Sequence, residues 1–408
     1  MIKVDISNLK LSSHVGETSL QAVSETLEKA NPLIEALLSQ MDQAPEALRA
    51  LDEIKTQYKK FAVVGIGGSS LGVQVFTQFF AKTNFTFFDN VDAAEFESQM
   101  KSFTSLDEVY WLFISKSGET IETLAALEFI DQIYSENKKD LGRQALVITE
   151  NKPSALSQWA AERKVKQFEI PLAVGGRYSG LSNVGLIPAY LMGLDLKALA
   201  KGARQALQAK AELSNFVSEC LASFERQEWI TVLWSYSSRL KNFGLWWQQL
   251  WAESLAKKVD LNQKPALRVS TPLCLVGATD QHSVLQQVYE GYRDKFVIFL
   301  RAHPAEDGSI SLKKAQTGPT QVLQGRKLGD LLQAEAIATQ QSLGEAGVSN
   351  MTLQLQQLNE ESLGYAMMFM QISVLALGNA LNLNPLNQPG VEHGKILCKK
   401  ILTENHLS

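Results

Sequence analysis

The chain has 408 residues, of which 45% are hydrophobic and 20% charged, and its net charge is −4. This composition is ordinary for a soluble globular protein of two or three domains. It excludes nucleic acid and anionic membranes as main partners, because both require clustered Lys and Arg. The three cysteines include no CxxC pair, which excludes a disulfide scaffold and fits a reducing, cytoplasmic location. The N-terminus, MIKVDISNLK, lacks the apolar core of a signal peptide.

Apolar positions recur at helical spacing from about residue 20 to residue 58, so residues 1–58 are predicted to form a helical N-terminal segment. The pattern then changes to short runs rich in Val, Ile and Phe, each followed by Gly or Ser and a helical stretch. Five such runs lie at 61–67, 84–89, 109–115, 145–150 and 166–171. Alternation of strand and helix predicts a parallel sheet with helices on both faces.

A helical region from residue 183 to about 228 follows, and four further strand candidates come after it: EWITVLWSY, TPLCLVGA, DKFVIFLRA and SNMTLQLQQL. These runs predict a first α/β domain over 59–200, a second over 201–385, and a turn with a Lys-rich helix over 386–408. The apolar stretch 363–383 is long enough to cross a bilayer, but polar residues interrupt it and it lacks basic flanks. It is predicted to be a buried helix rather than a membrane span.

Two loops rich in Gly and Ser follow predicted strands. In VVGIGGSSLG, residues 63–72, Gly65 and Gly67 fit a dinucleotide fingerprint, but Ser70 stands where its third glycine is required. ISKSGET, residues 114–120, offers hydroxyls, a lysine and the backbone N–H groups of a helix start, which suit a terminal phosphate. Because parallel strands deliver their loops to one edge of the sheet, the pair predicts a site for a small phosphorylated molecule. Taken singly, each loop also fits a tight turn or a helix cap.

Four polar clusters contain candidates for chemistry. Arg177 follows two glycines in VGGRYSGLSNVG and offers a fork that stabilises an anion. Glu253 follows three tryptophans in WWQQLWAES, where apolar surroundings suit a carboxylate base. The other two clusters are GATDQHS, with His282, and NQPGVEHGK, with Gln388, Glu392 and Lys395. Each cluster alone fits a structural or surface role equally well, and the five histidines lack the spacing of a metal site.

The motifs GIGGSSLG, DNVDA, ISKSGETIET, GGRYSGLSNVGL, WWQQLWAES, TDQHS, QQVYEG and QPGVEHGK occur in this order. Together they resemble the glucose-6-phosphate isomerase family in its shorter bacterial form, over almost the whole chain from about residue 60. The resemblance implies an α/β fold of two doubly wound, three-layer sugar-isomerase (SIS) domains with parallel sheets and an active site between them. It implies an aldose–ketose isomerase of glycolysis and gluconeogenesis that interconverts D-glucose 6-phosphate and D-fructose 6-phosphate. The implied route is ring opening and a cis-enediol(ate) intermediate, without cofactor or metal.

The resemblance also implies roles for individual residues. Glu253 is similar to the base that moves a proton between C1 and C2, and Arg177 to the group that stabilises the enediolate. His282 and Lys395 resemble the pair that opens and closes the sugar ring. In relatives this histidine comes from the neighbouring subunit, which implies a homodimer with His282 supplied across the interface. The remaining matches imply substrate contacts, namely a phosphate loop of Ser115, Lys116, Ser117 and Thr120, a sugar-lining pair of Gly68 and Ser69, and the ligand-site positions Glu122 and Gln388.

The sequence departs from the family pattern in two places. Leu255 and Ala256 follow WAES where the family has an acidic residue and a glycine before lysine, so packing behind the base is expected to differ. Glu119 puts a carboxylate into the phosphate loop, as in the sugar-isomerase domain of glucosamine-6-phosphate synthase. The glutaminase half of that enzyme requires a cysteine at position 2. This chain has Ile2 there, which counts against that enzyme.

The sequence is also compatible with two different classes of protein. One is a non-catalytic sugar-phosphate sensor, although no basic helix-turn-helix segment is visible. The second is an NAD(P)-dependent oxidoreductase that uses the glycine loop at 63–72 to bind its dinucleotide.

Overall fold

The computed structural model describes residues 2–5, 13–28, 31–303, 306 and 308–404. Over these residues, ten strands form two five-stranded sheets. The strands are β1 (Ile2–Asp5), β2 (Lys60–Val64), β3 (Phe85–Phe88), β4 (Val109–Ile114), β5 (Ala145–Thr149), β6 (Lys166–Glu169), β7 (Ile230–Tyr236), β8 (Thr271–Val276), β9 (Lys295–Ala302) and β10 (Asn350–Leu355). All nine strands predicted from the sequence are therefore confirmed as β2 to β10.

Fifteen α-helices surround these sheets in the described ranges. They are α1 (Ser13–Glu28), α2 (Pro32–Ala47), α3 (Asp52–Gln57), α4 (Gly68–Phe79), α5 (Ala93–Lys101), α6 (Ile121–Glu136), α7 (Ala155–Glu162), α8 (Asn183–Leu191), α9 (Leu196–Ala206), α10 (Lys210–Glu225), α11 (Lys241–Leu255), α12 (Leu285–Glu290), α13 (Leu328–Glu345), α14 (Glu360–Ala380) and α15 (Glu392–Thr403). Short 3-10 helices at Gly176–Leu181, Thr279–His282 and Pro389–Val391 carry or adjoin several of the predicted site residues.

The first sheet has the order β3-β2-β4-β5-β6 and is parallel throughout. The chain runs from β2 outward to β3 and then crosses to β4 on the other side of β2. The strand order therefore switches direction between β2 and β4, where open α/β sheets bind ligands at the carboxyl ends of their strands. Both Gly/Ser-rich loops, which follow β2 and β4, lie at this switch point.

The second sheet has the order β1-β10-β9-β7-β8. Its four later strands are parallel, whereas β1 joins the edge antiparallel to β10. Residues 1–58 were expected to be helical, but Ile2–Asp5 is a strand that pairs with residues 352–355 of the second sheet. The helical part of this segment begins at α1, and residues 1, 6–12 and 29–30 lie outside the described residues.

One large apolar cluster fills the space between the two sheets. It includes Phe61 and Val63 of β2, Ile298 of β9 and most of α14. Ala62 and Val64 alternate to the opposite face of the first sheet, where they join a second cluster, as the period of two along a strand requires. Helices cover both faces of each sheet, which confirms the predicted three-layer α/β architecture. The predicted boundary at residues 200/201 falls within α9, which packs against α14, so that division stays a prediction.

The apolar stretch predicted as a buried helix forms α14. This helix is long and apolar enough to cross a membrane, but 89% of its most apolar window is buried inside the protein. Several of its polar side chains find partners inside the protein; for example, Gln371 donates to the carbonyl of Tyr178 at 2.9 Å and Ser373 to the carbonyl of Phe369 at 2.8 Å. Core helices of large α/β proteins have this character, so α14 is weak evidence for a membrane span.

Candidate active site

The loop after β2 is packed so closely that it requires glycine. Gly67 has a φ of +58°, which disfavours residues with a Cβ. A Cβ on Gly68 would lie 2.1 Å from the carbonyl oxygen of Gly176. The missing side chain therefore lets the start of α4 contact the loop that carries Arg177. Gly68 is buried by this contact, while Ser69 beside it is half-buried.

The loop after β4 gathers three hydroxyls at the start of α6. The Thr120 hydroxyl lies 2.9 Å from that of Ser115 and 3.4 Å from that of Ser117. Thr120 is the N-cap residue of α6, yet its side chain makes no capping hydrogen bond. The loop turns at Gly118, with a φ of +68°. Hydroxyls beside uncapped helix N–H groups are suited to binding a phosphate. Glu122, half-buried in the first turn of α6, lies next to this group.

The two charged side chains of this loop have partners elsewhere in the protein. The Glu119 carboxylate accepts a hydrogen bond of 2.8 Å from the backbone N–H of Ala155, at the start of α7. This acidic departure from the family pattern thus caps a helix N-terminus, where negative charge is favourable. Lys116 lies 3.3 Å from a carboxylate oxygen of the buried Glu150 and donates to the carbonyl of Leu172 at 3.3 Å. The amine is thereby anchored at the rim of the loop.

Arg177 lies at the centre of a cluster of hydrogen-bonded polar groups. It belongs to the 3-10 helix Gly176–Leu181, and its side chain is only 1% exposed. Its guanidinium donates to Ser254 Oγ (2.7 Å), Glu253 Oε2 (3.2 Å), Gln388 Oε1 (2.8 Å) and the carbonyls of Asn387 (3.1 Å) and Pro385. A guanidinium has five N–H groups, so each of them has an acceptor. Three segments distant in sequence therefore meet at one side chain.

Glu253 lies on the last turn of α11, whose buried tryptophans Trp247 and Trp251 anchor the helix in the core. One carboxylate oxygen accepts from Arg177, and the other accepts from Gln249 Nε2 at 2.9 Å. The Glu253 side chain is 29% exposed, so it remains open to a ligand. Two directed hydrogen bonds on a rigid helix fix the position of this candidate base.

Sequence reasoning missed four members of this cluster. Gln249 lies at i−4 from Glu253 on the same face of α11, whereas Lys257 lies two residues beyond the end of α11 and donates to the carbonyl of Glu253. Tyr178 shares a hydrogen bond of 2.9 Å with Ser254, and Ser254 in turn accepts from Arg177. The i−4 spacing to Glu253 is the one signal that could have identified Gln249 beforehand.

His282 and Lys395, the predicted ring-opening pair, lie in different surroundings. His282 ends the 3-10 helix Thr279–His282, which follows the edge strand β8. Lys395 lies on α15, where every described side chain is exposed, and His282 is exposed as well. In contrast, the predicted residues Glu253, Arg177 and Gln388 are in direct contact.

Two doubly wound α/β domains with polar loops at the switch point define the fold of phosphosugar isomerases. The solved structure of a glucose-6-phosphate isomerase from Chlamydia trachomatis aligns with 100% of this chain and 89% of that chain, at a TM-score of 0.82 and 19% identity. A sequence model of the family described as phosphoglucose isomerase matches residues 14–408. The chain therefore belongs to the phosphoglucose isomerase family, which confirms the resemblance seen in its motifs.

Relatives of higher identity agree with this assignment. The glucose-6-phosphate isomerase of Campylobacter jejuni is 33% identical, and the alignment covers 91% of each chain. The glucose-6-phosphate isomerase of Thermus thermophilus is 33% identical over 94% of this chain and 98% of the relative. The similarity thus extends over the full fold and not over one domain alone.

Proposed function

We propose that the chain interconverts D-glucose 6-phosphate and D-fructose 6-phosphate in cytoplasmic glycolysis and gluconeogenesis. The observation that carries this proposal is the contact of 3.2 Å between Glu253 and Arg177. Moving a proton between C1 and C2 of a sugar requires a positioned base and a group that stabilises the enediolate oxygen. A carboxylate and a guanidinium held on rigid elements meet both requirements.

In the proposed reaction, Glu253 removes the proton from C2 of the open-chain aldose and returns it to C1, while the hydroxyl proton on O2 moves to O1 and C2 becomes the ketone. The electron pair of the broken C–H bond forms the C1–C2 double bond of a cis-enediolate, and negative charge develops on the former carbonyl oxygen. Because every N–H of Arg177 already has an acceptor, this oxygen must replace one of them. Glu253 and Gln388 are the side-chain acceptors on the same nitrogen, so substrate binding is expected to displace one of these bonds.

The substrate phosphate is assigned to the hydroxyls of Ser115, Ser117 and Thr120 and to the start of α6. Lys116 adds positive charge at the rim of the loop. Gly68 and Ser69 are assigned to the sugar, and Glu122 and Gln388 to further substrate contacts. Binding through a phosphate that does not react is an effective way to use remote binding energy for orientation.

Ring opening is assigned to Lys395 and to His282 supplied by the other subunit of a homodimer. Both side chains are exposed, and α15 carries exposed apolar residues such as Ile396 (67%) and Leu402 (49%). A second copy of the chain is a suitable cover for this apolar surface, since large exposed apolar patches commonly mark interfaces.

An oxidoreductase function has less support. A dinucleotide site needs a free acidic residue at the end of the second strand to bind ribose. Asp89 stands near that position, but it accepts a hydrogen bond from Ser70 at 3.1 Å and another from Gln74. Ser70, the residue that interrupts the glycine fingerprint, thus binds Oδ2 of the carboxylate that a ribose would use.

The proposal is tested by a coupled assay of the purified chain with glucose 6-phosphate and mannose 6-phosphate side by side. We expect turnover of glucose 6-phosphate and a loss of about 10²- to 10⁴-fold in kcat for Glu253→Gln, the range for removal of a general base. A wild-type chain without turnover, or full turnover in Glu253→Gln, would contradict the proposal. Substrate binding without turnover would instead favour a sugar-phosphate sensor.

A further inference from the structure

Lys257 links the end of α11 to a remote turn. Its ammonium donates to the carbonyl of Glu253 at 2.6 Å, one of the carbonyls that a helix end leaves without an intrahelical partner. It also donates to the carbonyl of Asn387. The two bonds connect the helix carrying the candidate base to the 385–388 turn, the residues that join α14 to the C-terminal helix.

The 385–388 turn depends on these polar contacts. Pro385 is half-buried and its ring packs close to Gly378 of α14, but Leu386 is 45% exposed and Asn387 and Gln388 are also exposed, so apolar burial holds only the first residue of the turn. Its carbonyls accept hydrogen bonds from the cluster beneath, namely Pro385 from Arg177 and Tyr178, and Asn387 from Arg177 and Lys257. Hydrogen bonds from charged donors are about twice as strong as neutral ones. Two cations therefore hold one short exposed segment.

The environment of Lys257 differs from that of a solvated surface lysine. Burial and the neighbouring Arg177 lower the pKa of Lys257 to about 8, against a smaller opposing effect of the Glu253 carboxylate. Placing an ammonium beside a guanidinium is unfavourable, so the carbonyls of Glu253 and Asn387 must offset that repulsion. Lys258 next to it is exposed and provides a contrasting residue of the same type.

We propose that Lys257 is a positioning residue that, together with Arg177, fixes the 385–388 turn so that Gln388 is held at the active site. Lys257 acts through the turn and does not contact the substrate. The kinetic consequence of this inference, a lower kcat/KM, rests on the proposed function. The structural consequence, order in the turn, can be measured without any activity.

The test compares Lys257→Met, Lys257→Arg and the matched control Lys258→Met in the full-length chain. Hydrogen exchange of the amides in 386–391 is expected to accelerate in Lys257→Met and to stay at the wild-type rate in Lys258→Met. In the isomerase assay, Lys257→Met should lose about 10- to 100-fold in kcat/KM, the range typical of residues that orient a catalytic ligand. Lys257→Arg should recover part of this loss, and Lys258→Met should stay within about twofold of wild type.

A double-mutant cycle separates action through the turn from a direct role. If Lys257 acts by holding Gln388, the variant with both Lys257→Met and Gln388→Leu should be about as slow as the slower single variant. If the fold-losses in kcat/KM of the two single variants multiply in the double variant, the proposal is overturned. Unchanged exchange of 386–391 in Lys257→Met, or in Lys257→Gln if the Met variant does not fold, would also overturn it. A wild-type chain without isomerase activity would refute the proposed function alone, because the exchange experiment tests the positioning role independently.

Discussion

The two halves of the predicted catalytic machinery are built differently. Arg177 lies on a buried 3-10 helix and contacts Glu253, which lies on a helix anchored by tryptophans. His282 and Lys395 lie on exposed segments at the edge of the second sheet and on α15. The core of one chain thus assembles a group suited to proton transfer. In our proposal the ring-opening half is completed only by a second copy.

Loss of Arg177 should produce the largest combined effect. Arg177→Met removes the stabiliser of the enediolate and leaves the partner carbonyls and carboxylate without their donor. We expect kcat to fall by about 10²- to 10³-fold and the free energy of unfolding by about 3 kcal/mol. Steady-state kinetics and urea unfolding measure both quantities. Arg177→Lys, which keeps the charge but loses the fork, should recover some stability and little activity. An unchanged kcat/KM in Arg177→Met would contradict the assignment of Arg177 to the stabilisation of the enediolate.

The proposal that His282 is supplied by the other subunit can be tested by mixing two inactive variants. Glu253→Gln and His282→Ala should each be strongly impaired, because each lacks one member of every site. If the histidine crosses the interface of a homodimer, a mixed dimer contains one site with both native residues. Reassembly of equal amounts should then recover about a quarter of wild-type activity, since about half of the dimers are mixed. Activity that stays at the level of the separate variants would place His282 within its own chain or outside the site.

Glu219 allows a test of whether burial alone marks a catalytic carboxylate. It is fully buried on α10, and neither of its carboxylate oxygens has a hydrogen-bond partner among the described residues. Burial raises its pKa to about 7, although Arg226, 4.0 Å away, opposes the shift. We expect Glu219→Gln to leave turnover unchanged, in contrast to Glu253→Gln.

The raised pKa of Glu219 also predicts how stability depends on pH. The folded chain retains a proton that the unfolded chain releases near the ordinary value of 4.5, so wild-type stability is lost as the pH rises from about 4.5 to 7. Glu219→Gln should lack this loss and gain on the order of 1–3 kcal/mol over wild type at pH 8. Melting temperatures at pH 5 and pH 8 measure it; an equal difference between the two proteins at both pH values would contradict the shift.

Glu119 should show the smallest effect. Because its carboxylate caps α7, Glu119→Ala is expected to lower the free energy of unfolding by about 1 kcal/mol and to leave KM within about twofold. Thermal unfolding and substrate titration measure the two quantities. A large fall in KM would mean that the carboxylate repels the substrate phosphate instead.

Much of the fold could be predicted because most strands from β2 to β10 are short runs of β-branched and aromatic residues followed by a turn and a helix. The exception, β1, lies outside the alternation of strand and helix that identifies the other strands, and it forms by pairing with β10 about 350 residues away. For the site, Arg177, Glu253 and Gln388 could be identified from motifs, and the structure brings them together. Lys257 could not, because its role depends on where the 385–388 turn lies in space. Contacts with another subunit leave no local sequence pattern that fixes their geometry.

The most direct test of the account follows the C2 proton of glucose 6-phosphate by NMR in D₂O. Glu253→Gln and the buried control Glu219→Gln are compared with wild type, after circular dichroism has shown that each is folded. We predict exchange of the C2 proton along with isomerisation in wild type and Glu219→Gln, and exchange at least about 10²-fold slower in Glu253→Gln. Exchange at the wild-type rate in folded Glu253→Gln would contradict the assignment of Glu253 as the base.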